Sequence, residues 1–204
     1  MDAFVVRLAG LVDRLRSARG RVTVAIDGAD CAGKTTLADA LAHQLGGHVV
    51  RASIDSFLNP DDVRRARGDL SADGCYRDSF DYARFRRLVL DPLSGDGAPA
   101  VLVVDGVFLL RPELRDAWTL SVHLDVSPEE TVRRARVRDA HRFGDELERR
   151  YVERYLPAQE IYRAEADPLA HADVLVGYDD PARPDVRRWP DERTTGAARA
   201  LSDG

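Results

Sequence analysis

Gly28-Ala29-Asp30-Cys31-Ala32-Gly33-Lys34-Thr35-Thr36 is the stretch that decides how this chain folds. It satisfies the pattern G-x-x-x-x-G-K-[ST] without a mismatch, and its surroundings are the ones that pattern needs. Before it, Val22-Thr-Val-Ala-Ile-Asp27 has the β-branched content of a buried strand. After it, Thr36-Leu-Ala-Asp-Ala-Leu-Ala-His-Gln-Leu45 is rich in helix formers, and Gly46-Gly47 supplies a stop. Strand, glycine loop and helix follow in order.

Each residue type in the loop has a physical reason. Gly28 and Gly33 allow a backbone path and a close approach that a side chain would block. The N–H groups of the loop and of the helix start then face an anion. We assign all nine positions, Gly28, Ala29, Asp30, Cys31, Ala32, Gly33, Lys34, Thr35 and Thr36, to binding a nucleotide triphosphate. Lys34 serves the β- and γ-phosphates, and the Thr35 hydroxyl serves Mg²⁺. Lys34 is the only lysine in the chain; the other basic side chains are arginines. The exception falls where a compact ammonium suits a phosphate better than a planar fork.

Composition narrows the classes. The chain has 204 residues, enough for one domain with a core and a lid or tail. The formal net charge of −5 argues against a general nucleic-acid binder. Cys31 and Cys75 form neither a disulfide framework nor a metal spacing, and Cys31 reads as a small filler rather than a nucleophile. No apolar run is long enough to span a membrane, and the N-terminus lacks the pattern of a signal peptide. The expectation is a cytoplasmic protein with small-molecule partners, no nucleic acid and no membrane; a homo-oligomer is compatible with the sequence.

Residues 1–20 read as an amphipathic helix with Phe4, Leu8, Leu11, Val12 and Leu15 on one face. Residues 21–178 alternate strands and helices, which predicts an α/β domain with a mainly parallel sheet. His48 to Ala52, Ala100 to Asp105, Thr119 to Asp125 and Asp173 to Val176 are the further strands. Leu58 to Asp78 is a polar loop or broken helix of the kind that contacts a substrate, Tyr82 to Leu90 is helical, and Asp91 to Pro99 is a turn-rich connector. Ser127-Pro128-Glu129-Glu130 opens a helix, with Ser127 as N-cap and Glu130 closing a capping box. A lid is expected at about residues 133–150, and a second helix, from Asp145 to Ala166, should be interrupted near Pro157. Residues 179–204 read as a mostly disordered tail.

In open α/β sheets ligands bind beyond the carboxyl ends of the strands, where Asp27, Asp55 and Asp105 fall. Asp105 ends a hydrophobic strand and is placed like a Walker-B acid; an Asp that merely turns the chain after a strand is the alternative. With Thr35 and Asp55 it completes the expected metal set. Asp55 is the candidate general base for an alcohol acceptor; a helix N-cap is the alternative. Arg134, Arg138 and Arg142 share a helix face suited to the charge of a transferring phosphoryl group, or to a solvated basic surface.

These segments together resemble one family. Val24 to Thr36, Ser53-Ile-Asp-Ser-Phe57, Phe80-Asp81, Val103-Val-Asp-Gly-Val107, Arg138-Asp139 with Arg142 and Gly144-Asp145, Pro157-Ala158 and Ala172 to Val176 occur in the order seen in uridine–cytidine kinases. The chain is most similar to the short bacterial uridine kinase-like proteins of the uridine kinase and phosphoribulokinase group. The resemblance implies a P-loop kinase fold, with five parallel strands in the order 2-3-1-4-5 and a helical lid. It implies Asp55 as base and Mg²⁺ neighbour, and Lys34, Arg134 and Arg138 as catalytic groups around ATP. It implies Asp81 as the holder of a ribose diol, with Phe57, Tyr76, Phe80, Arg142 and Arg150 around the acceptor. There are departures: the base-reading hairpin is reduced to the Asp91 to Ala100 connector, Arg150 stands for a Gln, and Asp105 for a Glu.

The sequence therefore predicts an ATP- and Mg²⁺-dependent kinase acting on a small-molecule hydroxyl, foremost a nucleoside 5′-OH. The alternatives are a kinase for pantothenate, nicotinamide riboside or another alcohol, and a nucleotide-binding regulatory module with little turnover.

Overall fold

The computed structural model of the protein describes residues 2–47, 49–94 and 100–191. Helix α1 (Asp2–Arg19) leads into β1 (Val22–Gly28), the glycine loop and α2 (Lys34–Leu45). Strand β2 (Val49–Ser53) ends in a short 3₁₀ turn, Ile54–Phe57. The polar segment after it is a broken helix, α3 (Asp61–Arg65) and α4 (Ala72–Asp78). Then come α5 (Tyr82–Phe85), which continues as a π turn, β3 (Val101–Asp105), α6 (Pro112–Arg115) and β4 (Leu120–Asp125). Helices α7 (Pro128–Arg138), α8 (Ala140–Phe143) and α9 (Leu147–Arg150) make the lid region. A π turn, Tyr151–Tyr155, joins α9 to α10 (Leu156–Ala166), and α11 (Pro168–His171) precedes β5 (Val174–Gly177) and β6 (Asp185–Arg188).

The sheet order is β2-β3-β1-β4-β5-β6, the first five strands parallel and β6 antiparallel to β5. Alternation along each strand gives the sheet two apolar faces. Val22, Val24 and Ile26 of β1 join Val101, Val103 and Val122 under α1 and α2. Ala25, Leu102 and Val104 face the other way, onto Phe57, Phe85, Trp118 and Tyr162. Both faces are covered, as a parallel sheet requires. Phe4, Leu8, Leu11, Val12 and Leu15, the expected face of α1, are all buried.

Three expectations need correcting. The sheet has six strands rather than five, and residues 180–191 stay with the fold. Val176 pairs with Val186, and Arg187 Nη1 donates to Asp125 Oδ2 at 2.6 Å. Trp189 then packs edge-on to Phe4, with Arg7 3.9 Å from its ring centre. The Pro and Arg content that reads as a disordered tail instead spaces out a short edge strand and its ion pairs. Residues 192–204 of that tail, His48 and residues 95–99 of the connector lie outside the described residues. Ser127 is the N-cap as read, its hydroxyl accepting from the Glu130 N–H, but Glu130 does not close a capping box: the Ser127 N–H donates to Asp179 Oδ1 at 2.8 Å, and the Glu130 carboxylate takes Arg133 and Arg134.

Trp189→Ala should lower the unfolding free energy by about 1–3 kcal/mol, because it removes an aromatic contact and a cation–π contact from a half-buried site. Urea denaturation measures this; an unchanged midpoint would mean that β6 adds nothing to the cooperative unit.

Candidate active site

β1 ends in Gly28 at a φ of 146°. A Cβ there would lie 2.6 Å from the Leu124 carbonyl oxygen of β4, so only glycine lets the loop leave the sheet at this point. Helix α2 starts after Gly33 with no side-chain cap and no acid in its first turn. Its free N–H groups and the positive end of its dipole are left for an anion. The Lys34 ammonium donates to the loop's own Ala29 carbonyl at 2.6 Å, and Asp30 to Thr36 all line one cleft of about 540 Å³.

The two acids come from neighbouring strands. β2 pairs with β3 so that Ser53 lies opposite Asp105. Gly106 lets the following turns touch; a Cβ there would meet Ile54 Cγ2 at 2.2 Å. Asp105 is almost fully buried; it accepts from Thr35 Oγ1 at 2.6 Å and from Arg51 Nη2 at 2.9 Å. Asp55 lines the same cleft, and its carboxylate makes no hydrogen bond or ion pair among the described residues. The cleft leaves Asp55 open to water, yet the walls around it desolvate the carboxyl and push its pKa up. Asp30 and Asp105 add to that rise and Lys34 opposes it.

A hydroxyl and one or two carboxylates are the hard oxygen donors that Mg²⁺ takes alongside phosphate oxygens. Thr35, Asp105 and Asp55 fit that set. No cluster of three His, Cys, Asp or Glu side chains forms a metal cage among the described residues. Arg51 was not anticipated from the sequence. Its signal was a lone arginine inside the apolar run Val49-Val-Arg-Ala52.

The lid arginines divide into two kinds. Arg134 has five N–H groups, and five acceptors take them. Nε donates to Glu130, Nη1 to the Cys31 and Ala32 carbonyls, and Nη2 to the Tyr178 and Asp179 carbonyls. Arg134 lines the cleft, but here it clamps the phosphate loop to the end of β5 rather than reaching inward. Arg138 and Arg142 also line the cleft. Arg138 makes a bidentate pair with Asp139, at 2.8 Å to each oxygen. Tyr151 donates to the same carboxylate at 2.7 Å. Burial alone would raise the Asp139 pKa; the Arg138 and Tyr151 hydrogen bonds outweigh it and hold the carboxyl below its ordinary value.

The expected acceptor residues scatter. Phe80 lines the cleft. Tyr76 does not: it is buried in the core, edge-on to Phe108 and under Arg111, because α4 turns that side toward the sheet. Phe57 packs edge-on to Phe85 and is absent from the cleft lining. Arg150 is held outside the cleft by Asp69 at 2.6 Å. Asp81 caps α5, its Oδ1 accepting from the Arg84 N–H at 2.8 Å, and it is not in the lining. In their place stand Leu58, Arg64, Ser79, Arg154 and Tyr155. Leu58 and Arg64 belong to the stretch read as substrate-contacting; Ser79, Arg154 and Tyr155 lie where no motif marks them, so sequence reading had no signal for those three.

Arg134→Lys keeps a positive charge but offers three donors where five acceptors wait. Affinity for Mg-ATP should fall on the order of 10-fold or more through loss of the preformed loop. Isothermal titration would measure it; wild-type affinity would mean that the clamp does not shape the loop.

No protein-family model matches the chain. Its structure is similar to that of a Bacillus stearothermophilus protein described as a possible uridine kinase, with a TM-score of 0.62 and 21% identity over 83% of this chain and 98% of that one. It is also similar to YFH7 from Saccharomyces cerevisiae, described as a candidate P-loop-containing kinase with a circular permutation. There the TM-score is 0.60 and the identity 11%, over 79% of this chain and 95% of that one. Glycine loop, strand order and helical lid region together give the chain the α/β fold of the P-loop kinases.

Proposed function

We propose that this protein transfers the γ-phosphoryl group of ATP to a hydroxyl of a small molecule. One observation carries the reading: an uncapped helix N-terminus, the Thr35–Asp105 pair and the unpaired Asp55 carboxylate line one cleft.

Each group then has a role. The loop N–H groups and Lys34 hold the β- and γ-phosphates, Lys34 exchanging its bond to Ala29 for phosphate oxygens. Thr35 and Asp105, with Asp55 beside them, would hold Mg²⁺, which when bound would neutralise phosphate charge. Arg51 keeps the buried Asp105 aimed at that position. Asp55 accepts the acceptor's hydroxyl proton as that oxygen bonds to the γ-phosphorus. The bond from the γ-phosphorus to the bridging oxygen breaks, and ADP leaves. Arg138 and Arg142 meet the charge on the transferring group.

For the acceptor, the resemblance points to a nucleoside 5′-OH. Asp81, the residue expected to hold a ribose diol, caps α5 and lies outside the cleft lining, so the geometry gives the diol role no support. A regulatory module with little turnover needs no base. An unpaired carboxylate kept in the cleft at the cost of its own desolvation favours turnover.

ADP release from Mg-ATP with an acceptor panel tests this. Lys34→Ala should abolish it. Asp55→Asn should lower kcat by roughly 10²–10⁴-fold while leaving ATP affinity near wild type. Acceptor-dependent turnover that survives Asp55→Asn would remove the base from the mechanism. Because the Asp55 pKa is raised, its basic form is lost as pH falls through a value above that of an ordinary aspartate. The acid limb of kcat/KM should lie there, and a limb at or below the ordinary aspartate value would contradict the assignment.

A further inference from the structure

Resting on the kinase reading, we infer that the acceptor carries an anionic group, a carboxylate or a phosphate, and that Arg154 receives it. Arg154 is 7% exposed and lines the cleft. A guanidinium that buried normally has a carboxylate beside it. Among the described residues Arg154 makes no ion pair. Its Nη1 donates to the main-chain carbonyls of Asp69 at 2.8 Å and Ser71 at 3.4 Å, and the guanidinium also lies against the Cys75 thiol. The carboxylate of Asp69 is turned to Arg150 and Arg65 instead. The protein thus holds a buried positive charge at the cleft wall with no carboxylate in direct contact among the described residues; Asp69, engaged by Arg150 and Arg65, acts on it only through space.

Two further arginines converge there from other elements. Arg64 of α3 lines the cleft; its Nη2 pairs with exposed Asp61, but its Nε is buried with no partner. Arg142 lines the cleft over the Phe143 ring and makes no ion pair among the described residues. The acids of the cleft, Asp30, Asp55 and Asp105, belong to the glycine loop and the strand ends. Arg154 is braced instead against the segment between α3 and α4, beside Cys75 and Tyr155. A triphosphate on Lys34 and Thr35 would satisfy the loop and leave this second group of cations unmatched. An alcohol bearing an anion would match it, placing the hydroxyl toward Asp55. This separates the candidate acceptors: pantothenate fits, whereas neutral uridine and cationic nicotinamide riboside leave Arg154 uncompensated.

The test uses matched pairs differing in charge: pantothenate against panthenol, glycerate against glycerol, and ribose 5-phosphate against ribose. ADP release from Mg-ATP should favour the charged member of at least one pair by on the order of 10–100-fold in kcat/KM. Carboxylate and phosphate sources are told apart by which pair responds. Arg154→Gln should abolish the preference and raise the acceptor KM without changing the KM for ATP. Because Arg154 also braces the chain near Asp69, Arg64→Gln provides a second, outer variant and should weaken the same preference. A direct readout is kept apart from catalysis: with a non-hydrolysable ATP analogue and Mg²⁺ saturating, sulfate should stabilise the wild type saturably in thermal denaturation, and Arg154→Gln much less. Equal use of neutral and charged members, or no saturable sulfate effect, overturns the anion subsite. A saturable sulfate effect with no acceptor-stimulated ADP release would instead overturn the kinase reading and leave the subsite standing.

Discussion

A single buried carboxylate holds the site together. Asp27 is fully buried at the end of β1, where an ion without partners would cost several kcal/mol or more. Its partners come from three other parts of the chain: His123 Nδ1 of β4 at 2.8 Å, the Tyr162 hydroxyl of α10 at 2.8 Å and the Leu109 N–H at 3.1 Å. Burial pushes the carboxyl toward its neutral form; His123, by hydrogen bond and charge, and then Tyr162 and Leu109 outweigh it and hold the pKa below its ordinary value. Tyr162 in turn accepts from the Leu110 N–H at 2.9 Å. To present those two amides the chain passes through Phe108 at a φ of 64°, a strain of about 1–3 kcal/mol that the hydrogen bonds offset. Gly28 is the next residue after Asp27, so this knot fixes where the phosphate loop begins.

The loop is fixed from its far side as well. Arg134 grips the carbonyls of Cys31 and Ala32, and the Cys31 sulfur lies 3.3 Å from the Tyr151 hydroxyl. Cys31, Ala135, Leu147 and Tyr151 form a small apolar cluster of their own. Burial pushes the Cys31 thiol pKa up, which suits a packing residue rather than a nucleophile. Phosphate loop and lid region are therefore one packed unit, and a change in one is felt by the other through Cys31 and Asp139.

How much of this was legible follows from where each signal lives. The glycine loop, the helix start at Ser127 and the strand acids are local patterns, and local patterns survive in a sequence. Asp27 and Asp105 both end apolar strands, yet one is a structural knot and the other faces the cleft. The difference lies in what His123, Tyr162 and Arg51 do from far along the chain. Tyr76 and Asp81 read as acceptor residues because of the company they keep in sequence, but one faces the sheet and the other closes a helix turn. Arg154 sits among four other arginines from Arg142 to Arg163, and only its burial sets it apart. The strand β6 was hidden because its pairing with β5 depends on Arg187 reaching Asp125, a contact between distant residues.

The turn at Tyr151–Tyr155 has a consequence for how such a protein can change over time. Its N–H to carbonyl bonds skip one residue more than an α-helix does; the Leu156 N–H reaches the Tyr151 carbonyl. That added residue absorbs the missing N–H of Pro157 and resets the angular phase between lid and core. Upstream of it Tyr151 faces the lid cluster, and downstream Ala158 and Tyr162 face the sheet. Losing a single codon here would restore a regular helix and rotate one partner by about 100° against the other. Tyr162 would leave Asp27, or Arg154 would leave the cleft. Substitution is open at the exposed positions of this segment, Val152 and Glu153, but a change of length is not.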